Sequence, residues 1–483
     1  MNGFMQAVDW SVFRDEGILL AALGVMLAVD LVRPRGRPSP SGWILLAGSV
    51  LALLAGVLRP VPDASLWDGA YVVDALARYF KALFLLALAL ATLASFRYMQ
   101  AKAWRGEFNL MLGVSTVGMM LLVGAGDLVS LFVSLELVSI SLYVAASLAR
   151  DEVTSQEAGL KYLLVGAFST ALFIFGMSFV YAGCGSTSLA AIRAAIGTGP
   201  GHPLAVAGVV LMLAGLGFKI AAVPFHMWAP DVYQGGPTPM VAFASVASKA
   251  AGFAIMIRLL VGTMAGLSGV WIPLLCVMAV ATMTVGSFAA IPQTNIRRLL
   301  AYSSIAQAGY VLIGIVAGTP RGVSAVLFYL LVYLFTNLAA FISVLIVSRH
   351  AGNDEIASYA GLAQRSPLLA LAFMLALLSL AGIPPLGGFV GKLYLFASAM
   401  EVSTRLLWLV VVGATLSIVS LFYYLMVIRQ MYIEAPREPG AIPVGPAATI
   451  ALLCCIAGMV VTGIWPNGVL DLTIAVAGPL VGH

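Results

Sequence analysis

The chain has 483 residues, of which 61% are hydrophobic and only 9% are charged, and its mean hydropathy is +1.04. This composition excludes a water-soluble globular protein, because such proteins carry about 25% charged residues. Long apolar runs instead predict an all-α polytopic membrane protein, since a helix satisfies its own backbone hydrogen bonds in lipid. The net charge of +5 gives no reason to expect a nucleic-acid partner.

Fourteen apolar runs of about 17 or more residues are long enough to cross a bilayer. Their approximate centres are Met26, Leu51, Leu86, Met119, Leu137, Ile174, Leu216, Ala250, Val280, Ala308, Leu334, Leu380, Val419 and Met459. The first run is not followed by a small-residue cleavage site, so we expect it to be a span and not a signal peptide.

Lysine and arginine are unevenly distributed between the loops. Thirteen lie in loops that follow odd-numbered spans, and five lie in the other loops and the N-terminal segment. Because positive residues accumulate in cytoplasmic loops, we predict that the odd-numbered loops face the cytoplasm and that both termini lie outside it. The abundance of alanine, glycine and arginine agrees with a bacterial cell inner membrane.

The first ionisable groups of interest lie in spans three to six. Arg78 and Lys81 fall near an outer helix end, where long side chains reach the headgroups. Glu136 lies about midway along span five, where a carboxylate either pairs with a lysine and fixes two helices or titrates and carries a proton. Lys161, at the start of span six, can either reach the headgroups or take part in that chemistry.

Span seven contains the first predicted helix break. Pro224 has no N–H for the carbonyl of Ile220, so the helix should bend or open one turn after Lys219. A lysine in the middle of a membrane helix is unfavourable by ~3 kcal/mol and usually faces a bundle interior or a hydrated cavity. His226 follows the break and is either a core histidine or a proton relay, and Lys249 lies at the middle of span eight.

A second break is predicted in span twelve. Pro384 and Pro385 remove donors for the carbonyls of Leu380 and Ala381, and Lys392 follows two turns later. Between the two breaks, span ten has a polar stripe that serves either helix packing or a hydrated path. Its members are Tyr302, Ser303, Ser304 and Gln307.

The two broken spans are five spans apart, and five is an odd number. Two five-span units, residues 109–261 and 271–433, would therefore insert in opposite directions. Inverted repeats with interrupted helices at matching positions are typical of transporters whose ion path lies near the midplane. We predict three N-terminal helices in residues 1–108, the two repeats, and one C-terminal helix in residues 434–483.

Glu136, Lys219, Lys249 and Lys392 then form a row of ionisable groups at similar depth. Burial disfavours the charged form of a lysine, whereas a nearby carboxylate favours it. Opening or closing a pair between Glu136 and Lys219 would therefore change whether Lys219 holds its proton. One central glutamate also leaves charges unpaired among three lysines, which weighs against a purely structural set of ion pairs.

The sequence lacks the common motifs of metal and cofactor sites. The four cysteines, Cys184, Cys276, Cys454 and Cys455, show no C-x-x-C spacing, which argues against zinc or iron–sulfur ligation. No G-x-G-x-x-G or G-x-x-x-x-G-K-[ST] motif follows a strand-like run. We therefore predict no metal ion, redox cofactor or nucleotide in this chain.

Four strings resemble the antiporter-like membrane subunits of respiratory complex I and their relatives in Mrp-type sodium/proton antiporters. They are PFHMWAPDVYQGGPTPMVAFASVASKAAGF from Pro224, QTNIRRLLAYSSIAQAGY from Gln293, LFTNLAAF from Leu334 and SLAGIPPLGGFVGK from Ser379. The first string is similar to the branch called subunit N, the mitochondrial subunit 2 type. Lysine instead of glutamate at position 392 argues against subunit M. The length argues against subunit L, which carries an extra lateral helix.

The resemblance implies fourteen helices, inverted repeats and proton translocation driven by NADH:quinone oxidoreduction elsewhere in the complex. It implies other complex I membrane subunits as partners, among them neighbouring antiporter-like subunits, with FMN, iron–sulfur clusters and quinone in other subunits. It assigns proton-translocation roles to Glu136, Lys161, Lys219, His226, Lys249 and Lys392.

We therefore expect a non-redox subunit of the H+-translocating NADH:quinone oxidoreductase. Protons would enter from the cytoplasm near Lys161 or His226, pass Lys219 and Lys249, and leave through Lys392. An Mrp-type cation/proton antiporter subunit is the alternative, because the same lysines would serve it. A membrane scaffold fixed by buried ion pairs is the third interpretation.

Overall fold

The computed structural model describes residues 9–33, 39–100, 102–197, 202–402, 404–437 and 440–481. Within these ranges the chain is a bundle of α-helices with one short antiparallel hairpin, in which Ala64 lies opposite Val73. The predicted all-α membrane fold is therefore confirmed. The hairpin was not predicted.

The first part of the bundle runs from the N-terminal helices to the first break. Its elements are α1 Arg14–Val32, α2 Ser41–Leu58, β1 Ala64–Leu66, β2 Tyr71–Val73, α3 Ala75–Met99, α4 Arg105–Val123, α5 Leu128–Ala146, α6 Val153–Cys184, α7 Leu189–Gly197, α8 Pro203–Ile220 and α9 Trp228–Gly235.

The second part contains the central helices and the second break. Its elements are α10 Thr238–Met256, α11 Ser268–Ala290, α12 Ile296–Ala317, α13 Pro320–Ala351, α14 Leu362–Arg365, α15 Pro367–Ala381, α16 Gly387–Val402, α17 Leu407–Tyr432, α18 Pro446–Ile464 and α19 Asn467–Val481. A π-helical segment, Ile257–Thr263, continues α10.

Twelve helices of the described ranges are long and apolar enough to cross a membrane. The two remaining predicted spans differ from these: α1 begins with the charged residues Arg14, Asp15 and Glu16, and span twelve is divided into α15 and α16. The structure also has α19 after α18, where one C-terminal helix was predicted. The count of fourteen spans stays a prediction.

Three helices form the centre of the bundle. Over their most apolar stretch, α10 with its continuation is completely buried, α12 is 94% buried and α13 is 83% buried. Helices that are apolar on all sides are expected in this position. A polar side chain on α10 or α12 therefore meets protein and not lipid. Helix α10 carries Lys249 of the predicted row, and α12 carries the predicted polar stripe.

Polar caps fix where the functional helices begin. The Asp127 carboxylate accepts hydrogen bonds from the backbone N–H groups of Val129 and Ser130 at the start of α5. The Asn295 side chain does the same at the start of α12. Such caps satisfy the first orphan donors of a helix, and here they set the depth of Glu136 and Ser304.

Close packing joins α6 to α8, the helix that carries Lys219. Gly176 on α6 faces Gly208 on α8, and a Cβ on either residue would lie 2.6 Å from the other's carbonyl oxygen. Small residues at such crossings let two membrane helices approach closely. The backbone of α8 is thereby held against the helix that also carries Thr170.

The N-terminal helices contain a buried ion pair that the sequence did not predict. Lys81 was expected to reach the headgroups, but only 3% of it is exposed. Its ammonium lies 2.7 Å from the Glu16 carboxylate, which also accepts a hydrogen bond of 2.8 Å from the Tyr71 hydroxyl. The expectation for Lys81 was wrong because an acid on α1 supplies a partner inside the bundle.

Candidate proton-transfer site

The first break lies where Pro224 predicts it. Helix α8 ends at Ile220, and Ala221 takes the left-handed backbone conformation at φ +57°. The indole of Trp228, at the start of α9, donates to the carbonyl of Phe218 at 3.0 Å. The N–H of Val223 donates to the Thr282 hydroxyl at 2.9 Å. These donors and acceptors satisfy backbone groups that the break frees, as a membrane interior requires.

Lys219 lies directly before this break and is 4% exposed. Its ammonium donates to the Ser139 hydroxyl at 2.5 Å and lies 6.0 Å from the centroid of the Tyr143 ring. Both partners are on α5. Lys219 is thus held by a hydroxyl and a ring face, neither of which carries a charge.

Glu136 is on the same helix as Ser139, but it makes a different contact. It is half-buried, and its carboxylate accepts a hydrogen bond of 2.8 Å from the Thr170 hydroxyl on α6. In the described part of the chain, no cationic group lies within 4.0 Å of it. The hypothesised pair of Glu136 with Lys219 is therefore open in this structure, with Ser139 about one helical turn from the acid.

Lys249 occupies the buried middle of α10 and is 3% exposed. Its ammonium donates to both the carbonyl (2.7 Å) and the hydroxyl (2.5 Å) of Ser304 on α12. The Tyr333 hydroxyl donates to the same serine hydroxyl at 2.8 Å. Gly252, one turn along α10, packs on the backbone of α8, where an added Cβ would lie 3.4 Å from the Lys219 Cβ. The first two lysines are thus on directly packed helices.

Gln307 continues the polar groups from Lys249 toward the second break. Its amide donates to the carbonyl of Leu380 at 3.0 Å, and its carbonyl oxygen accepts from the Tyr329 hydroxyl. Lys249, Ser304, Gln307 and Tyr329 also line a cavity of about 10 Å³. The cavity is about the size of one water molecule, and its surface is mostly apolar. Lys249 and Gln307 therefore border one small cavity.

The second break lies between α15 and α16, at the predicted prolines Pro384 and Pro385. Two carbonyls predicted to lose their donors, those of Leu380 and Ala381, accept from the Lys392 ammonium at 2.8 and 3.2 Å. Ser417 on α17 accepts from the same ammonium at 2.8 Å. Lys392 is 4% exposed and lies 4.4 Å from the centroid of the Tyr310 ring. Gln307 and Lys392 therefore share one acceptor, the Leu380 carbonyl.

Lys161 lies outside this row. Its side chain is 43% exposed and pairs with Glu157 at 2.7 Å and with Asp231 at 2.8 Å. Asp231 also pairs with Arg298 at 2.7 Å. The sequence predicted the lysine as a site residue and missed its partners: Glu157 lies one turn before it on α6, whereas Asp231 is distant in the chain. These four residues form a charged cluster near the starts of α6 and α12.

Aromatic rings lie next to this cluster. Tyr162 follows Lys161 in the chain and stacks on Trp228, with 4.5 Å between ring centroids. Tyr162 also contacts Tyr143, the ring against which Lys219 lies. His226 is half-buried in the break segment just before Trp228. Lys161 and His226 therefore adjoin in the chain the residues of an aromatic layer, Tyr162 and Trp228, that reaches Lys219 through Tyr143. Among the described contacts of Lys219, neither Lys161 nor His226 appears.

The described residues form no metal site from the usual ligands. Across the described ranges, no group of three or more His, Cys, Asp or Glu residues is placed to hold a metal ion. The polar groups of the row are hydroxyls, amides, carbonyls and ammonium groups. This set of groups can pass protons along hydrogen bonds.

The chain resembles a known family over most of its length. Residues 125–417 match the family model described as NADH:quinone oxidoreductase/Mrp antiporter, TM. NADH-quinone oxidoreductase subunit N of Moorella thermoacetica is 44% identical, over 93% of this chain and 94% of the relative.

Solved structures agree with that match. A chain of respiratory complex I from Thermus thermophilus is 33% identical, with a TM-score of 0.82 over 95% of this chain and 99% of that chain. A chain of the Mrp complex from Dietzia sp. shares the fold, with a TM-score of 0.81 at 21% identity over 98% of this chain and 94% of that chain. The relatives and the broken helices agree: the chain belongs to the family of antiporter-like membrane subunits of NADH:quinone oxidoreductase, and within it to the subunit N relatives.

Proposed function

We propose that the chain is a proton-translocating membrane subunit of NADH:quinone oxidoreductase, placed beside other antiporter-like subunits in the membrane arm of the complex. One observation carries the proposal. Lys219, Lys249 and Lys392 are buried on neutral hydroxyls and carbonyls, and none has a carboxylate within 4.0 Å in the described ranges. Lysines placed in this way can lose and regain a proton without breaking an ion pair.

We propose that protons pass along these lysines in chain order. They enter from the cytoplasm near the cluster of Lys161 or near His226, reach Lys219, continue to Lys249 and leave through Lys392. The contact of α8 with α10 supports the first transfer, and the shared Leu380 carbonyl supports the last. Closing the gap between Glu136 and Lys219 would favour the protonated lysine, which is how a signal from a neighbouring subunit would act on the row.

We also propose that this chain carries out no redox step itself. The FMN, the iron–sulfur clusters and the quinone would be held by other subunits, and this chain would use the free energy that their reaction releases. The two breaks at α8–α9 and α15–α16 support the proposed inverted repeats, residues 109–261 and 271–433, between the helices of residues 1–108 and 434–483. The loop charges support a bacterial inner-membrane location with both termini outside the cytoplasm.

The test is the substitution Lys219→Ala in membrane vesicles that contain the complete complex. We expect NADH-driven proton pumping and quinone reduction to fall sharply while a native gel shows an intact complex. Lys102→Ala is the matched control, because Lys102 is a partly exposed lysine that pairs with Glu152 outside the row. Normal rates of both activities in Lys219→Ala would refute the assignment.

Deletion of the chain separates the antiporter alternative from this proposal. A stand-alone cation/proton antiporter would leave NADH oxidation unchanged when the chain is deleted, and the deletion would impair growth under sodium stress at alkaline pH. The chain is 44% identical to the complex I relative and 21% identical to the Mrp chain. This difference favours the complex I subunit over the antiporter.

A further inference from the structure

A groove of about 850 Å³ opens beside α2, α3, α4 and α13, away from the lysine row. Its size falls within the range of cavities that hold ligands. The side chains around it divide into an apolar wall and a basic rim. The wall includes Trp43, Leu93, Phe96 and Ile346, and the rim includes Arg97, Arg105, Arg349 and His350.

The groove follows the polarity of a bilayer leaflet. Arg97 and Arg349 each lie two residues before the end of their helices, α3 and α13, and Arg105 begins α4. The apolar wall comes from the parts of the helices that run toward the membrane centre. Trp43, 64% exposed, stands at the open side with its ring 4.5 Å from that of Phe96. The basic rim therefore lies at headgroup depth and the wall at acyl-chain depth.

The positive charge of the rim is not neutralised by the chain. Arg97 donates to the Pro443 carbonyl at 3.2 Å, and Arg349 donates to the Arg97 carbonyl, so both are oriented by neutral backbone. The Nε of Arg105 is buried without a hydrogen-bond partner. No acidic side chain lines the groove in the described ranges.

One acid lies near the rim, but it is already bound. Arg105 feels the charge of Asp30, whose carboxylate accepts from the Ser39 hydroxyl at 2.6 Å and lies 3.8 Å from Arg33. The three rim arginines form no ion pair within 4.0 Å among the described residues. The three guanidinium groups are therefore available to an anion that enters the groove.

We infer that this groove binds one anionic phospholipid of the cytoplasmic leaflet. Its phosphate would lie between Arg97, Arg105 and Arg349, and an acyl chain would lie along Trp43 and Phe96. Basic pockets between membrane helices on the cytoplasmic side are known to recognise anionic headgroups. The inference does not depend on the proposed proton path.

The test uses the assembled complex in vesicles of phosphatidylcholine with or without phosphatidylglycerol. A photoreactive side chain, introduced by Trp43→benzoylphenylalanine, reports by mass spectrometry on what occupies the groove. We expect adducts enriched in phosphatidylglycerol relative to its share of the bilayer. Arg105→Gln and Arg349→Gln should each reduce that enrichment about fivefold, since one basic side chain at the membrane surface is worth about that much in affinity.

The matched control is Arg437→Gln, which removes an exposed arginine from the loop that also contains Pro443 and should leave the enrichment unchanged. Adducts that follow the bulk lipid composition would show only general membrane contact and overturn the inference. Adducts with another subunit would show that protein covers the groove and would overturn it equally. The crosslinking is repeated in inorganic phosphate and in chloride of equal ionic strength. If phosphate abolishes the enrichment of phosphatidylglycerol adducts and chloride does not, the groove is a small-anion site and the inference is wrong.

Discussion

Replacing Lys249 by methionine separates a proton carrier from a structural charge. The substitution removes the ammonium but keeps a flexible side chain of similar length. Among the described residues, Lys249 donates hydrogen bonds to the carbonyl and the hydroxyl of Ser304 alone. Loss of hydrogen bonds from a charged donor costs about 1.5–3 kcal/mol. Removing a buried charge that lacks an ionic partner offsets this, since burying an ion carries an effective desolvation penalty on the order of several kcal/mol.

The two effects nearly cancel, so we expect Lys249→Met to assemble into a complex of near-normal thermal stability. Proton pumping in vesicles should nevertheless fall to the background level. Lys249→Arg is the second variant: it keeps the positive charge, but a guanidinium does not release its proton in a protein, so pumping should fall here too. If Lys249→Met fails to assemble while Lys249→Arg assembles and pumps normally, the charge is structural and our reasoning is wrong.

Two further substitutions test the surroundings of the row. Gln307→Leu removes the amide that shares the Leu380 carbonyl with Lys392. The complex should still assemble, because a lost buried hydrogen bond costs only about 1–3 kcal/mol, but it should pump fewer protons per NADH oxidised. Unchanged pumping would remove Gln307 from the path. Lys81→Met leaves the Glu16 carboxylate buried without its cation and should destabilise the complex by about 3–5 kcal/mol. A thermal-unfolding measurement checks this, and the double variant with Glu16→Gln should recover most of the loss.

The broken helices could be predicted from the sequence because their cause is local. Pro224 and the pair Pro384 and Pro385 lack backbone donors whatever surrounds them, and the helices end at Ile220 and Ala381 as that chemistry requires. The buried lysines follow from the same kind of reasoning, since a charge inside an apolar run has to lie in the bundle.

The partners of those lysines could not be predicted in the same way. Ser139 and Ser417 are ordinary serines in apolar helices, and only the packing of α5 and α17 brings them to Lys219 and Lys392. Span ten was a partial exception, because its polar stripe pointed to either packing or a hydrated path. The structure places Ser304 and Gln307 of that stripe next to the lysines.

The chain itself provides a comparison between two uses of a buried lysine. Lys81 is paired with Glu16 at 2.7 Å, and the Tyr71 hydroxyl also binds that carboxylate, so its charge is fixed by a partner of opposite sign. Lys219, Lys249 and Lys392 are as deeply buried but have hydroxyl and carbonyl partners, which accept a hydrogen bond from the lysine whether or not it is charged. Within the described residues none of these three lysines has a carboxylate within 4.0 Å, and ammonium groups repel one another in a medium of low dielectric constant. We therefore propose that the row holds fewer protons than it has sites, because a partly filled row lets a proton move along it.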